Sequence, residues 1–422
     1  MRSPRHLRVY VQMYSAVDLQ IVDELDDPQL GWIISAEYAT RSRQTLGPKI
    51  KAATGLLVDP ITWRLDPSLR WMTAHDGGLK PIYRRLLDGF RFPKDSIAWR
   101  DRSPDLLERF VVEVLEFQES QLDTSRSPQD QELFPGMLPE SIGRSRPDRL
   151  FSPTVLVRDF ESLADQRALW DATPSTFRGL PVDLTLAIAP RFLGEDGVVA
   201  EVEAFLTGNR RLWLFLPGFR GLLRTRVGVR LASRIRPAVR RFLERAPVGI
   251  LGAGHHLSLL SLDGVDAIAF GLHLEGGAEQ KAMGRPALPY AYVTAAHGLA
   301  SYDEVCGVVR DQDAIGFAHW FCPEPICVKL FEELGAARYV REMFQTTPTK
   351  NGLQAAPIAH AQQRRHGLRA RIWELERIGQ LSEATLLREL RAEAHRTPFL
   401  KAKADLEAWL DAFATAPVRT AR

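Results

Sequence analysis

Apolar residues in this chain gather into short runs separated by helix-length stretches: Leu7 to Met13, Trp32 to Ser35, Gly55 to Val58, Thr154 to Val157, Leu184 to Ala189, Leu212 to Leu216, Val248 to Leu251 and Ala267 to Phe270. Most are continuous rather than alternating with polar residues. Strands buried on both faces read this way, as in a parallel sheet covered by helices. About eight such strands with intervening helices predict an α/β fold, a (β/α)8 TIM barrel in preference to an open doubly wound sheet. The stretch 124–149, rich in Ser, Pro, Gln and Arg, reads as a surface insertion. After Met343 the pattern changes: Thr346 to Gln354 has the composition of a linker, and the rest is helical and highly charged. The expected organisation is a barrel over 1–345, carrying a distinctive loop at 320–328, and a helical segment over 346–422 packed on it. No internal repeat is visible.

In a barrel the chemistry sits at the C-terminal ends of the strands. Polar residues that follow the apolar runs are therefore candidates: Asp59, Arg158, Asp159, Arg191, Arg220, His255, His256, His273 and Glu275. Each alone is an ordinary cap or turn residue, and their recurrence in one predicted plane is the functional signal. Gly252-Ala253-Gly254-His255-His256-Leu257 follows a strand and starts like a dinucleotide fingerprint, but Leu257 stands where the third glycine belongs. A nicotinamide cofactor does not fit. A tight strand-to-helix turn fits, with glycines that admit a ligand close to the backbone and amides that suit an anion.

The formal net charge of +3 in 422 residues does not announce a polyanion partner, but its distribution does. Between Arg210 and Arg245 there are eleven arginines and one glutamate. Arg226, Arg230, Arg234, Arg241 and Arg245 fall roughly at helical spacing, which predicts a basic stripe facing a phosphate backbone. Arg364, Arg365, Arg369 and Arg371 in the C-terminal segment extend the same expectation. The start, Met1-Arg2-Ser3-Pro4-Arg5, lacks the apolar core of a signal peptide, and no apolar run reaches membrane-spanning length. A soluble, cytoplasmic protein is expected.

Three cysteines cannot make a disulfide framework. Two of them lie in Phe321-Cys322-Pro323-Glu324-Pro325-Ile326-Cys327, with a carboxylate between them and His360 downstream in a helical stretch. Cys322, Glu324, Cys327 and His360 are a credible ligand set for tetrahedral zinc; the alternative is a Pro-rich turn with two inert thiols.

Four successive elements are similar to the tRNA-guanine transglycosylase superfamily, closest to its archaeosine branch. They are Pro247 to His255 with its Gly-Ala-Gly-His turn, Gly264-Val265-Asp266-Ala267-Ile268-Ala269-Phe270, Cys322-x-Glu324-x-x-Cys327, and Pro357 to His360 with Arg377-Ile378-Gly379-Gln380-Leu381. Upstream, Gly55-Leu56-Leu57-Val58-Asp59 resembles the strand bearing the family's acid/base aspartate, and Phe117-Gln118 lies in a helix of the expected kind. The resemblance implies a (β/α)8 barrel that exchanges guanine in RNA or DNA for a 7-deazaguanine through a covalent aspartyl intermediate. It also implies a base pocket at Gly252, Gly254, His255 and Gln118, and a structural zinc that holds a loop and helix for docking nucleic acid.

The sequence departs from that pattern in three places. Asp59 is followed by Pro60-Ile61-Thr62-Trp63 instead of Ser-Gly-Gly-Phe-Gln, Ala269 stands where the nucleophilic aspartate is expected, and Glu324 replaces the middle cysteine. The gap from Cys327 to His360 is also longer than usual, and carboxylate ligation would shift metal preference toward harder ions. Three functions are expected: base exchange with the nucleophile moved to Asp59, Asp159 or Glu275; a catalytically silent relative that binds nucleic acid or supports a protein partner, or pairs as a homodimer; or a barrel enzyme on a small phosphorylated or acidic substrate. The first two predict salt-sensitive binding of tRNA or DNA.

Overall fold

The computed structural model describes residues 7–13, 15–25, 30–41, 55–60, 62, 99–121, 147–206, 210–223, 225–253, 257–271, 290–349 and 352–414. Each predicted apolar run falls on a strand. These are β1 (Arg8–Met13), β2 (Leu30–Ser35), β3 (Leu56–Asp59), β4 (Leu150–Phe151), β5 (Leu156–Val157), β6 (Thr176–Phe177), β7 (Leu180–Ile188), β8 (Leu212–Phe215), β9 (Val248–Leu251) and β10 (Ala267–Gly271). They form one sheet in the order β3-β2-β1-β10-β9-β8-β7-β4, with β5 and β6 also on β7. Only the β6–β7 pairing is antiparallel. The result is a curled, parallel-dominated sheet in a half-barrel, covered by helices. Its two end strands are joined through Asp148, which donates its N–H to Leu56 O and accepts from Leu56 N–H through Oδ2, each at 2.9 Å.

The concave face is packed by side chains. Tyr10, Ile33, Leu57, Phe151, Trp213, Leu251, Ala267 and Ala269 form a buried cluster there, while the outward-facing strand residues join a larger core with the helices. Rings lie over glycines of the neighbouring strand: a Cβ at Gly249 would stand 2.6 Å from the Trp213 ring, and one at Gly31 would overlap Tyr10. Near the N-terminal end of the strands Asp183 is fully buried. Arg149 meets it through Nη2 at 2.6 Å and Trp213 Nε1 donates to it at 3.0 Å. A buried charge persists only when paired in this way.

The helices used below are α1 (Ala16–Leu25), α2 (Pro104–Gln121), α3 (Phe160–Asp171), α4 (Arg226–Ala232), α5 (Ile235–Leu243), α6 (Pro325–Leu334), α7 (Pro357–Gln380), α8 (Glu383–Arg396) and α9 (Leu400–Ala414). Beyond β10 the chain builds a second, smaller core. A hairpin of β11 (Tyr290–Val293) and β12 (Gly298–Ser301) packs with α6 and its neighbours around Phe317, Phe321, Phe331, Tyr339 and Phe344. Within the expected range 1–345, residues 290–344 build their own core, to which Phe399 and Ala402 contribute. The expected linker at 346–354 contains a hairpin, β13 (Thr346–Thr349) and β14 (Gly352–Ala355), paired Thr349 to Gly352. Most of the expected insertion at 124–149 lies outside the described residues.

The C-terminal helices join the two cores. Leu368, Leu375 and Ile378 of α7, Leu386 and Leu390 of α8, and Trp409 of α9 belong to the sheet's core. Arg236 of α5, 2 % exposed, pairs with Asp263 and Glu383 and lies 3.7 Å from the Phe413 ring centroid. Between hairpin and helices, His297 adopts left-handed backbone (φ 46°) and bridges Glu374 at 3.1 Å and Glu393 at 3.0 Å. Burial lowers the His297 pKa, but Glu374 first and then Glu393 outweigh burial and hold it up at about 9.

Candidate metal centre

The cysteine loop becomes a helix start. Glu324 caps α6 with Pro325 at its first position, and its two oxygens accept the N–H groups of Ile326 (3.0 Å) and Cys327 (2.8 Å). Capping takes up donors that the first helical turn leaves open. It also fixes Cys327 at the third helical position, facing Cys322 at the end of the preceding segment. Both thiols are buried, as is His366 of α7. Cys322 Sγ, Cys327 Sγ and a ring nitrogen of His366 lie within 4.8 Å of one another.

Each donor is held by a neighbour. His366 Nε2 lies 2.8 Å from Tyr292 O; a carbonyl only accepts, so Nε2 carries a proton and Nδ1 faces Cys327 Sγ at 3.3 Å. The Phe321 ring stacks on the imidazole with centroids 5.0 Å apart. Thr294 Oγ1 meets Cys322 Sγ at 3.2 Å. Fixing the far nitrogen of a histidine in this way is the usual support of a metal ligand. Burial pushes the Cys322 thiol up, but the Cys327 hydrogen bond and the His366 imidazole outweigh it and hold it down at about 5. Cys327 is pushed well up by its hydrogen bond with Cys322 and by burial. One thiolate shared in a sealed core is the ready state for a cation. Two sulfurs and an imidazole fit zinc better than a hard ion.

Of the expected ligand set, Cys322 and Cys327 fall in this group, while Glu324 and His360 are not among its members. Glu324 serves the helix start, and its carboxylate is not in the cluster. His360 lies exposed on α7, six residues from His366, which at helical periodicity is a different face of the same helix. The signal for His366 was present: Ala359, Gln363, His366 and Ala370 are buried at spacings of four, three and four.

The other expected site residues are dispersed. Asp59 ends β3 in the same strand phase as Leu57, which lies on the concave face, and it is half-buried. Asp159 is the N-cap of α3 in a reciprocal box with Ser162, whose N–H donates to its Oδ1 at 2.8 Å; those bonds lower its pKa. Gln118 is buried in α2 and clamps β4, accepting from Phe151 N–H and donating to Phe151 O, both at 2.8 Å. Both ends of its amide are thus engaged in holding that strand. Gly252 turns with φ 60° at the end of β9, its N–H donating to Gln12 Oε1 at 3.1 Å. Gly254, His255 and Glu275 lie outside the described residues. Ala269 is sealed in the concave cluster.

The basic segment forms two helices, α4 and α5, separated at Ser233–Arg234. Acidic partners arrive from elsewhere in the sequence: Arg234 pairs with Asp196, Arg241 with Glu203, and Arg240 with Asp263. Arg226, Arg230, Arg234, Arg241 and Arg245 are all exposed, and Arg234 and Arg241 carry acidic neighbours there. Among the described residues no helix is long and apolar enough to cross a membrane. No protein-family model, curated protein or solved structure matches this chain.

Proposed function

We propose that the chain is a divergent base-exchange protein of the tRNA-guanine transglycosylase type, acting on nucleic acid in the cytoplasm, with a structural zinc at Cys322, Cys327 and His366. The observation that carries the reading is the placement of the Cys–Cys–His cluster. It follows the last strand of a sheet whose strands are neighbours in chain order, and it ties the loop to the helix that crosses the ends of those strands. Closure of the sheet into a (β/α)8 barrel is supported by the β1–β10 pairing at one seam and the Asp148 bonds at the other.

Zinc would hold the Pro325 turn to α7; reduced thiols suit a cytoplasmic setting. The chemistry falls to the strand ends. With Ala269 in the concave cluster, Asp59 is the carboxylate we assign to the reaction. Its oxygen attacks the sugar C1′ as the bond from C1′ to guanine N9 breaks, and the leaving base takes a proton. N9 of the incoming 7-deazaguanine then attacks C1′, loses its proton, and releases the Asp59 carboxylate. Arg226, Arg230 and Arg245 supply exposed positive charge for the phosphate backbone.

The sealed position of Ala269 favours one second reading, a silent relative that binds nucleic acid and leaves the chemistry to a protein partner. Labelled guanine or 7-deazaguanine, incubated with the protein and either bulk tRNA or duplex DNA, separates the two. Incorporation that disappears in Asp59→Asn supports exchange. Salt-sensitive binding without incorporation points to the silent relative, and neither binding nor incorporation overturns both.

A further inference from the structure

Two arginines of α7 lie seven residues apart, on one helix face, and are almost equally buried, with Arg364 7 % and Arg371 6 % exposed. Their partners differ. Arg364 Nη1 donates to Asp18 Oδ1 at 2.8 Å and to Ser15 Oγ at 3.2 Å, beside the end of β1. Arg371 Nη1 donates only to a carbonyl, Gly271 O at 2.6 Å, at the C-terminal end of β10. Its guanidinium lies 5.3 Å from the Phe270 ring centroid and 5.9 Å from that of Tyr292. Among the described residues no carboxylate stands within ion-pair distance of it. Glu374, one turn along α7, is taken by the Tyr292 hydroxyl at 2.5 Å and by His297 at 3.1 Å. Arg371 Nε is buried with no partner.

A buried cation without a counter-charge is costly, and two rings and one carbonyl recover only part of that cost. The spent group is Nη1. What remains is the Nε–Nη2 edge, the side of a guanidinium that takes two oxygens of one oxyanion. The rings fix its plane in advance, so little freedom is lost on binding. Local charge selects the anion: from Pro357 to Trp373 the helix carries four arginines, at 364, 365, 369 and 371, and no acidic residue.

We propose that Arg371 anchors an oxyanion site at the C-terminal end of β10 that takes a phosphate group side-on through Nε and Nη2. The site does not depend on base exchange. The phosphate comes either from a nucleic-acid backbone or from a free small phosphate, and the same edge serves both.

The test uses the full chain, with inorganic phosphate as probe and chloride at matched ionic strength as control. Phosphate raises the wild-type Tm, Arg371→Gln loses the increment, and Arg371→Lys, which keeps the charge without the fork, binds roughly tenfold or more weakly. General salting effects of phosphate are common to all variants and cancel in the comparison. Without phosphate, Arg371→Gln is at least as stable as wild type, whereas Arg364→Gln is less stable because Asp18 loses its partner. An increment that survives in Arg371→Gln, an absent increment in wild type, or a phosphate-free loss of stability in Arg371→Gln equal to that in Arg364→Gln overturns the site. A labelled single-stranded oligonucleotide then identifies the source: displacement by inorganic phosphate marks a backbone phosphate, and phosphate binding without displacement marks a small ligand.

Discussion

The concave face of the sheet and the small core around Cys322 are both sealed from water, but they deal with polar atoms in opposite ways. In the sheet, Asp183 is matched by Arg149 and Trp213, so the buried charge is neutralised by the protein itself. In the small core two thiols and an imidazole face one another, steadied by Thr294 and the Tyr292 carbonyl, with no acid–base pair that neutralises them among the described residues. The first arrangement is complete and serves stability. The second has donor capacity left over, which is what a metal site looks like before its ion is counted. The same contrast separates Arg364, matched by Asp18, from Arg371, which is matched by no carboxylate among the described residues.

That contrast can be broken at several points. The largest expected effect is in the sheet: Asp183→Ala leaves Arg149 and the Trp213 N–H without an acceptor and should cost about 3–5 kcal/mol in urea unfolding. A loss below about 1 kcal/mol would mean that the pair is not a buried charge pair in solution. Next comes His297. Its folded pKa, about 9, lies above the free value of 6.5, so its stabilisation is complete below pH 6.5 and is lost as pH rises through 9. Stability should fall across that window by on the order of 3 kcal/mol. His297→Gln should flatten the profile there, and parallel profiles for the two proteins would contradict the bridge. The smallest effect is at Asp159. As a helix cap, Asp159→Ala should lose about 1 kcal/mol of stability while base incorporation and nucleic-acid binding stay unchanged; loss of either activity at full stability would return Asp159 to the chemistry.

Much of the fold could be read from the sequence because continuous apolar runs have few alternatives to a doubly covered strand. The runs at Val248 to Leu251 and Ala267 to Phe270 match β9 and β10 to within a residue. Short elements were not legible. β4 has two residues, Leu150 and Phe151, and owes its place to the Gln118 clamp, which no local pattern announces. The β13–β14 hairpin passed for a linker although the Asn351-Gly352 dipeptide is a common hairpin signal. At the metal centre the two cysteines were legible from spacing within a Pro-rich loop. His366 is marked by helical phase, since it lies with buried Ala359, Gln363 and Ala370 and His360 does not, a signal that sequence distance from the cysteines does not carry. The acidic neighbours of the arginine stripe were not legible either: Asp196, Glu203 and Asp263 reach Arg234, Arg241 and Arg240 only through tertiary packing.

The most direct test of the account is the zinc content of the purified full chain by mass spectrometry, in wild type, His360→Ala and His366→Ala. One zinc per chain is expected in the wild type and in His360→Ala, and little in His366→Ala. Metal-free wild type from chelator-free purification, or zinc kept by His366→Ala and lost by His360→Ala, would contradict the centre described above.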